Sequence, residues 1–211
     1  MVIVEEEKKL LTIAEYLEVE DAAEARHEFQ NGNIIAMAGG TLSHNAIKLR
    51  IAGKLDQYVE AQNLPHMVLN SDTKVRIESA NRFLYPDITI SDGTPAYYTT
   101  PEGSIRRDII INPLAIIEVL SEDTRNYDKG GKFEFYGSVP GFQEYILIEP
   151  EEVWARSMFL QDPEQNLWKH EIFIDEDAKL PIRSLGLEIP LSEVYAVLDK
   201  LPKGLKTQRE Q

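Results

Sequence analysis

The sequence contains no cysteine, which excludes disulfide bridges and metal sites built on thiolates. It also lacks any apolar run approaching the ~18 residues that a membrane-spanning helix needs. Its first residues, MVIVEEEKKLL, place three glutamates where a secretory leader carries positive charge ahead of an apolar stretch. These absences lead to the expectation of a soluble cytoplasmic protein with no membrane partner. Positive charge is scarce as well: 22 Lys and Arg stand against 36 Asp and Glu, a net charge of −14. The basic footprint usual for proteins that grip nucleic-acid phosphates is therefore missing overall. Surface fields are screened within ~8–10 Å at ordinary salt, so an acidic protein can still carry a local basic cleft. Short basic groupings do occur, at Lys48/Arg50/Lys54, Lys74/Arg76, Arg106/Arg107 and Arg125/Lys129/Lys132. Each reads first as solvated surface.

What is present is an ordinary globular composition, 43% hydrophobic and 27% charged over 211 residues. That length suits one well-buried core. The expected organisation is an N-terminal extension over 1–9, a single domain over 10–200 and a polar tail over 201–211. Thr12-Ile13-Ala14-Glu15 has the form of a capping box, predicting a short helix to about Val19. Asn31-Gly32 between two apolar-leaning runs is a strong hairpin signal. A two-residue turn there pairs Gln30 with Asn33, Phe29 with Ile34 and Glu28 with Ile35. Glu28 thus shares a sheet face with Ile35, an unusual neighbour for a solvated carboxylate.

Ser43 can cap a long helix over 44–62, in which Ile47, Ile51, Leu55 and Tyr58/Val59 recur at helical spacing. Strands are expected at 66–69, 74–77, 82–91 and 114–121, with Asp92–Gly103 as a surface loop. Residues 126–138 read as a helix despite Gly130-Gly131, 144–148 as an apolar strand, and 153–160 with 167–174 as an additional hairpin. A last helix follows Leu191. The pattern is a mixed α/β domain, a central mixed sheet flanked by helices with an extra β-hairpin.

Two carboxylates stand out. Leu114–Leu120 is apolar on both alternating sets of positions, so it should be a central strand covered on both faces. Glu118 sits inside it, and a carboxylate buried there must be paired, protonated or metal-bound. A salt bridge to Arg125 or Lys132 would satisfy it, and so would a cation. Asp87 follows Pro86 in 82–91, where proline suggests an edge or the start of a paired region. Alone it reads as a solvated strand residue. Together with Glu118 it offers what hard cations such as Mg²⁺ take, one or two carboxylates completed by water and phosphate. Lys132 could stabilise charge at such a centre, or simply pair with Asp128 one helical turn away.

Tyr85-Pro86-Asp87 followed by Ile117-Glu118-Val119 resembles the PD-(D/E)XK nuclease superfamily. More narrowly, the chain resembles a bacterial family of uncharacterised candidate restriction endonucleases. The supporting residues are Arg26-His27-Glu28, Ser43-His44-Asn45, Tyr85-Pro86-Asp87-Ile88, Ile117–Ser121, Thr124–Asp128 with Lys132, and Gly141–Tyr145. The resemblance implies a restriction-endonuclease-like sheet and metal-dependent hydrolysis of phosphodiester bonds in nucleic acid, with DNA as the expected substrate. It implies Mg²⁺ or Mn²⁺ held by Asp87 and Glu118, with Glu28 and Lys132 completing the catalytic set. His44 and Arg125 are the expected substrate contacts, although His44 near a helix start can equally cap it. Homodimerisation is expected from family habit and from the apolar C-terminal segment. One departure is plain: the superfamily pattern places lysine two residues after the second acid, where this chain has Leu120. Lys132 on the following helix is the replacement, and a decayed site would look the same. The alternatives are a nuclease fold without catalysis that binds nucleic acid or protein, and a hydrolase of another phosphoester.

Overall fold

Local chemistry sets the first elements. Thr12 Oγ1 accepts the Glu15 amide and the Glu15 carboxylate accepts that of Thr12, closing the capping box of helix α1 (Ile13–Ala22). Asn31 and Gly32 take positive φ, 49° and 89°, and turn strand β1 (His27–Gln30) into β2 (Asn33–Ala36). Their register is the expected one, Glu28 opposite Ile35 and Phe29 opposite Ile34. Helix α2 (Leu42–Ala61) buries Ile47, Ile51, Leu55 and Val59 along one face, worth roughly 1.5–3 kcal/mol for each side chain. Its cap is Thr41 rather than Ser43. Thr41 Oγ1 accepts the His44 amide at 3.2 Å, whereas the Ser43 hydroxyl reaches Glu151 at 2.6 Å.

The structure is a computed structural model in which residues 10–37, 39–122 and 125–202 are described. The expected extension 1–9, residues 203–211 of the expected tail, and Thr124 lie outside them. After α2 come β3 (Val68–Asn70), β4 (Lys74–Ile77), β5 (Arg82–Leu84), β6 (Ile88–Ser91), β7 (Tyr97–Thr99), β8 (Ile105–Ile110) and β9 (Pro113–Val119). Then follow helices α3 (Arg125–Lys129) and α4 (Gly131–Gly137), strands β10 (Glu144–Ile148), β11 (Ala155–Asp162), β12 (Leu167–Phe173), β13 (Lys179–Ile182) and β14 (Leu187–Pro190), and helix α5 (Leu191–Tyr195).

The mixed α/β class holds, with the strands divided between two six-stranded sheets. One has the order β2-β1-β5-β4-β8-β7 and the other β12-β11-β10-β9-β6-β3, with β13-β14 as a separate pair. Each large sheet is mixed: β4/β8 and β9/β10 are parallel, their other pairings antiparallel. The expected additional hairpin is β11–β12, which extends the second sheet. Strands β7, β8, β13 and β14 were not expected; β7 lies inside the segment read as a loop. The helix expected over 126–138 is broken into α3 and α4 at Gly130, whose φ of −132° and ψ of −84° are not helical.

The most consequential difference concerns 82–91, expected as one strand. It is two strands in two different sheets, β5 in the first and β6 in the second. Pro86 cannot donate to a ladder, and the chain leaves one sheet there and enters the other. Asp87 is thereby delivered to the junction. Strand β9 is buried along all seven residues, as its two-sided apolar pattern requires. Ile117 and Val119 join the core that includes the α2 stripe; Ile116 and Leu120 join Tyr136 of α4 and Tyr145 of β10. The apolar segment from Leu191, one basis for expecting dimers, is occupied otherwise. Leu191, Val194 and Tyr195 are buried in the chain's own core. Among the described residues no helix is long and apolar enough to cross a membrane.

Candidate active site at the junction of the two sheets

Antiparallel pairing sets Ile88 of β6 opposite Ile117 of β9, which brings Asp87 beside Glu118. The two acids are interlocked through the backbone. The Asp87 amide donates to Glu118 Oε2 at 3.1 Å, and the Val119 amide donates to Asp87 Oδ2 at 2.9 Å. Glu118 is only 4% exposed. Its other oxygen, Oε1, accepts from Lys132 Nζ at 3.1 Å. Lys132 of α4 thus reaches the second acid from the helix that packs over β9, whereas position 120 holds leucine.

Lys132 is itself buried and faces three carboxylates. Besides Glu118 it lies 3.4 Å from Glu28 Oε1 and 3.0 Å from Asp128 Oδ1. Lys132 therefore pairs with Asp128, four residues before it across the Gly130 break, and also meets the acids. Glu28, delivered by β1, is buried and accepts the Tyr85 amide at 3.3 Å. That bond runs to the segment leaving β5, so the hairpin of one sheet is tied to the acids of the other.

Asp87 is held from the α2 side. His44 Nε2 lies 3.0 Å from Asp87 Oδ2, and Lys48 Nζ lies 3.3 Å from Oδ1. His44 and Lys48 are four residues apart and so share one face of α2. Gly40 makes room for the imidazole: a Cβ at that position would overlap His44 Nδ1.

These surroundings divide the charges. Burial opposes ionisation of Asp87, but the His44 contact, Lys48 and the Val119 amide outweigh it, so its pKa lies below the ordinary value. Glu118 moves the other way. Burial raises it well above the usual carboxylate range, and Lys132 lowers it only in part while Asp128 and Asp87 raise it further. Burial also works against the Lys132 charge, yet Glu118, Glu28 and Asp128 hold its pKa well above the ordinary lysine value. These neighbours favour its protonated form.

The acids line a cavity of about 680 Å³ that also takes in Glu28, His44, Lys48, Tyr127 and Lys132. Among the described residues no group of three or more His, Asp or Glu is arranged as a metal cage. Two carboxylates beside open volume are what a hydrated hard cation uses, since it completes its shell with water and phosphate oxygens.

Comparison with known proteins meets this geometry. Residues 13–192 match the Uma2 family, whose description reads "Putative restriction endonuclease". The chain belongs to the Uma2 family. Two uncharacterized proteins of Synechocystis sp. are similar to it. One, sll1609, is 33% identical over 67% of this chain and 76% of its own length; the other, slr1290, is 28% identical over 88% and 91%. A crystal structure of "a putative nuclease belonging to DUF820" from Anabaena variabilis superposes with a TM-score of 0.70. It covers 89% of this chain and 99% of the other at 21% identity, a likeness of fold.

Of the residues expected at an Uma2 site, the structure brings together Glu28, His44, Asp87, Glu118 and Lys132. Arg125 is not among them. Its guanidinium is paired with Glu149, one bond at 2.9 Å, and it lines a neighbouring cavity of about 370 Å³. Glu149 lies at the end of β10 and is buried, so it captures the nearest arginine. Three neighbours of the site went unread in the sequence. Lys48 was grouped with surface charge, although its spacing from His44 on one helix face was visible. Asp128 was read only as a partner for Lys132. Gly40 carries no local signal, because its role depends on a ring that the fold places against it.

Proposed function

We propose that this chain is a divalent-metal-dependent endonuclease that hydrolyses phosphodiester bonds of nucleic acid, with DNA as substrate. The observation that carries the reading is the contact of Lys132 Nζ with Glu118 Oε1, 3.1 Å, on the acid whose other oxygen accepts the Asp87 amide. Two acids and a cationic amine thus converge on one cavity, although the local lysine position of the superfamily pattern is empty. Asp87 and Glu118 would hold Mg²⁺ or Mn²⁺. When bound, such an ion neutralises phosphate and supplies a water of lowered pKa.

The chain's own residues do the rest. Lys132, kept protonated by its three carboxylate neighbours, offers a fixed positive charge for the phosphoryl oxygens. Glu28 and Asp128 anchor that amine and so set where its charge points. His44 and Lys48 orient the Asp87 carboxylate and keep it ionised. Arg125 is read as a clamp on Glu149 rather than a substrate contact.

The test is nicking of plasmid DNA with Mg²⁺ or Mn²⁺ titrated into wild type and Glu118→Ala, alongside calorimetric metal binding. Metal-dependent nicking that disappears in the variant supports the reading. Equal metal binding by both proteins would sink the proposed metal site. Metal binding without nicking in wild type would favour the non-catalytic module, for which the capture of Lys132 by three acids is the motivating observation. Pairing of two copies is carried with the proposal from the family resemblance alone, and sedimentation velocity checks it.

A further inference from the structure

The shape and charge of the cavity bear on which form of nucleic acid can use it. We infer that the site accepts a single unpaired DNA strand in preference to a duplex, an inference that rests on the phosphodiester-hydrolase reading above. Three observations lead there.

The first is depth. Glu118 is 4% exposed and the Asp87 side chain 14%. A phosphate must therefore enter the cavity with its flanking sugars rather than touch a surface. About 680 Å³ falls within the roughly 300–1,000 Å³ that enclose a ligand of small-molecule size. Duplex DNA is stiff over about 150 base pairs, and bending a step of its backbone toward such a space costs about 1–6 kcal/mol. An unpaired strand does not meet that cost.

The second is charge. The cavity is lined by five carboxylates and three cations, Arg26, Lys48 and Lys132. Each cation already faces an acid: Arg26 meets Asp72, Lys48 meets Asp87, and Lys132 meets Glu28, Glu118 and Asp128. A duplex is held mainly by neutralised phosphates and released counterions, and these walls offer little of that.

The third is what the walls do offer. Ile35, at 47% exposure, and Met37 present apolar surface from the β2 end of the hairpin. Tyr127 adds an aromatic ring. Apolar and aromatic faces hold unpaired bases without needing many phosphate contacts.

The experiment compares one labelled oligodeoxynucleotide, alone and annealed to its complement, in Mn²⁺-dependent cleavage by the full chain. Binding of both forms is followed in parallel by fluorescence anisotropy in Ca²⁺. The single strand should be cleaved and bound at least about tenfold better, the worth of roughly one stacked base. Its affinity should fall with salt with a log–log slope no steeper than about −2, from three cations at ~0.7 each. Duplex cleaved as fast or faster overturns the inference and leaves the hydrolase reading standing. If neither form is cleaved, the hydrolase reading fails, and the anisotropy decides: preference for the single strand supports the strand selectivity, whereas duplex preference or no binding overturns it. Ile35→Asp, outside the acid–lysine cluster, should weaken single-strand binding several-fold with an unchanged melting temperature. Unchanged affinity in that variant would count against the apolar wall as the contact.

Discussion

Two glutamates on adjacent parallel strands make an instructive pair. Glu118 lies on β9 and Glu144 on β10, where Leu147 is opposite Glu118 and Glu144 is opposite Ala115. Both are buried, and burial raises both pKa values. Their surroundings differ. Glu144 accepts from the Ser184 amide at 2.9 Å, the Ser184 hydroxyl at 2.8 Å, the Arg183 amide at 3.1 Å and the Ser157 hydroxyl at 3.3 Å. Its oxygens are tied down by neutral donors that clamp the β13–β14 turn onto the second sheet. Glu118 has one backbone amide and an ammonium shared with two other carboxylates, and it opens on a cavity. Burial of a carboxylate therefore does not by itself mark a functional site. A buried acid whose only charged partner is already shared, beside open volume, is the better candidate for one.

The largest expected effect separates the two directly. Glu118→Gln or Asp87→Asn should lower metal-dependent DNA cleavage by about 10²–10³, the scale of losing one charge-stabilising group at a reacting centre. Glu144→Gln should stay within a few-fold of wild type in the same assay. If Glu144→Gln abolished cleavage while still folded, the contrast would collapse.

Next in size is the shared ammonium. Lys132→Met leaves Glu28, Glu118 and Asp128 without their common cation and should destabilise the fold by about 3–5 kcal/mol, read from urea unfolding. Added Mn²⁺ should restore part of that loss if the acids bind it, whereas a metal-independent deficit would argue for a purely structural cluster.

Removing the neutral clamp is milder. Glu144→Ala should cost about 1–3 kcal/mol, the price of stranding buried donors. The pH dependence has a definite sign. Because burial raises Glu144 above its ordinary 4.5, the folded protein keeps that proton to higher pH than the unfolded chain does. Its contribution to stability is greatest in acid and declines as pH climbs from 4.5 through the folded value. Glu144→Gln, neutral throughout, should lack that decline in denaturant titrations stepped through this range. A wild-type advantage that grows with pH would contradict the assignment.

The smallest expected change sharpens the other member of the pair. Gly40→Ala should displace the His44 ring from Asp87, because a Cβ there would overlap Nδ1. Cleavage should fall about tenfold, near the 1.4 kcal/mol of one hydrogen bond, with little change in melting temperature. Full activity would show that His44 does not orient Asp87.

Much of this was legible in the chain before folding. The capping box at Thr12, the Asn31-Gly32 turn with its register, the α2 stripe and the two-sided apolar strand around Glu118 all depend on neighbours within a few residues. Glu144 was equally present in an apolar strand and was passed over, since its satisfying donors come from a turn about forty positions away. The break of 82–91 into two sheets had only Pro86 as its sign. Strand β7 was hidden because a short strand at a sheet's edge carries weak periodicity. The pairing of Arg125 with Glu149 was hidden for a related reason: a helix position does not say which of several acids captures a guanidinium.

The amino-acid sequence alone determined that Glu118 would lie on a strand and be buried, that Asp87 would follow a proline, and that no lysine would stand two residues beyond Glu118. Those properties follow from alternation, from proline chemistry and from the residue types themselves. Only the tertiary structure decided that Lys132 reaches Glu118, that Glu28 arrives from the other sheet, and that His44 and Lys48 hold Asp87. Each of those contacts joins different elements, whose relative position is set by how the two sheets and α2 and α4 pack rather than by local preference.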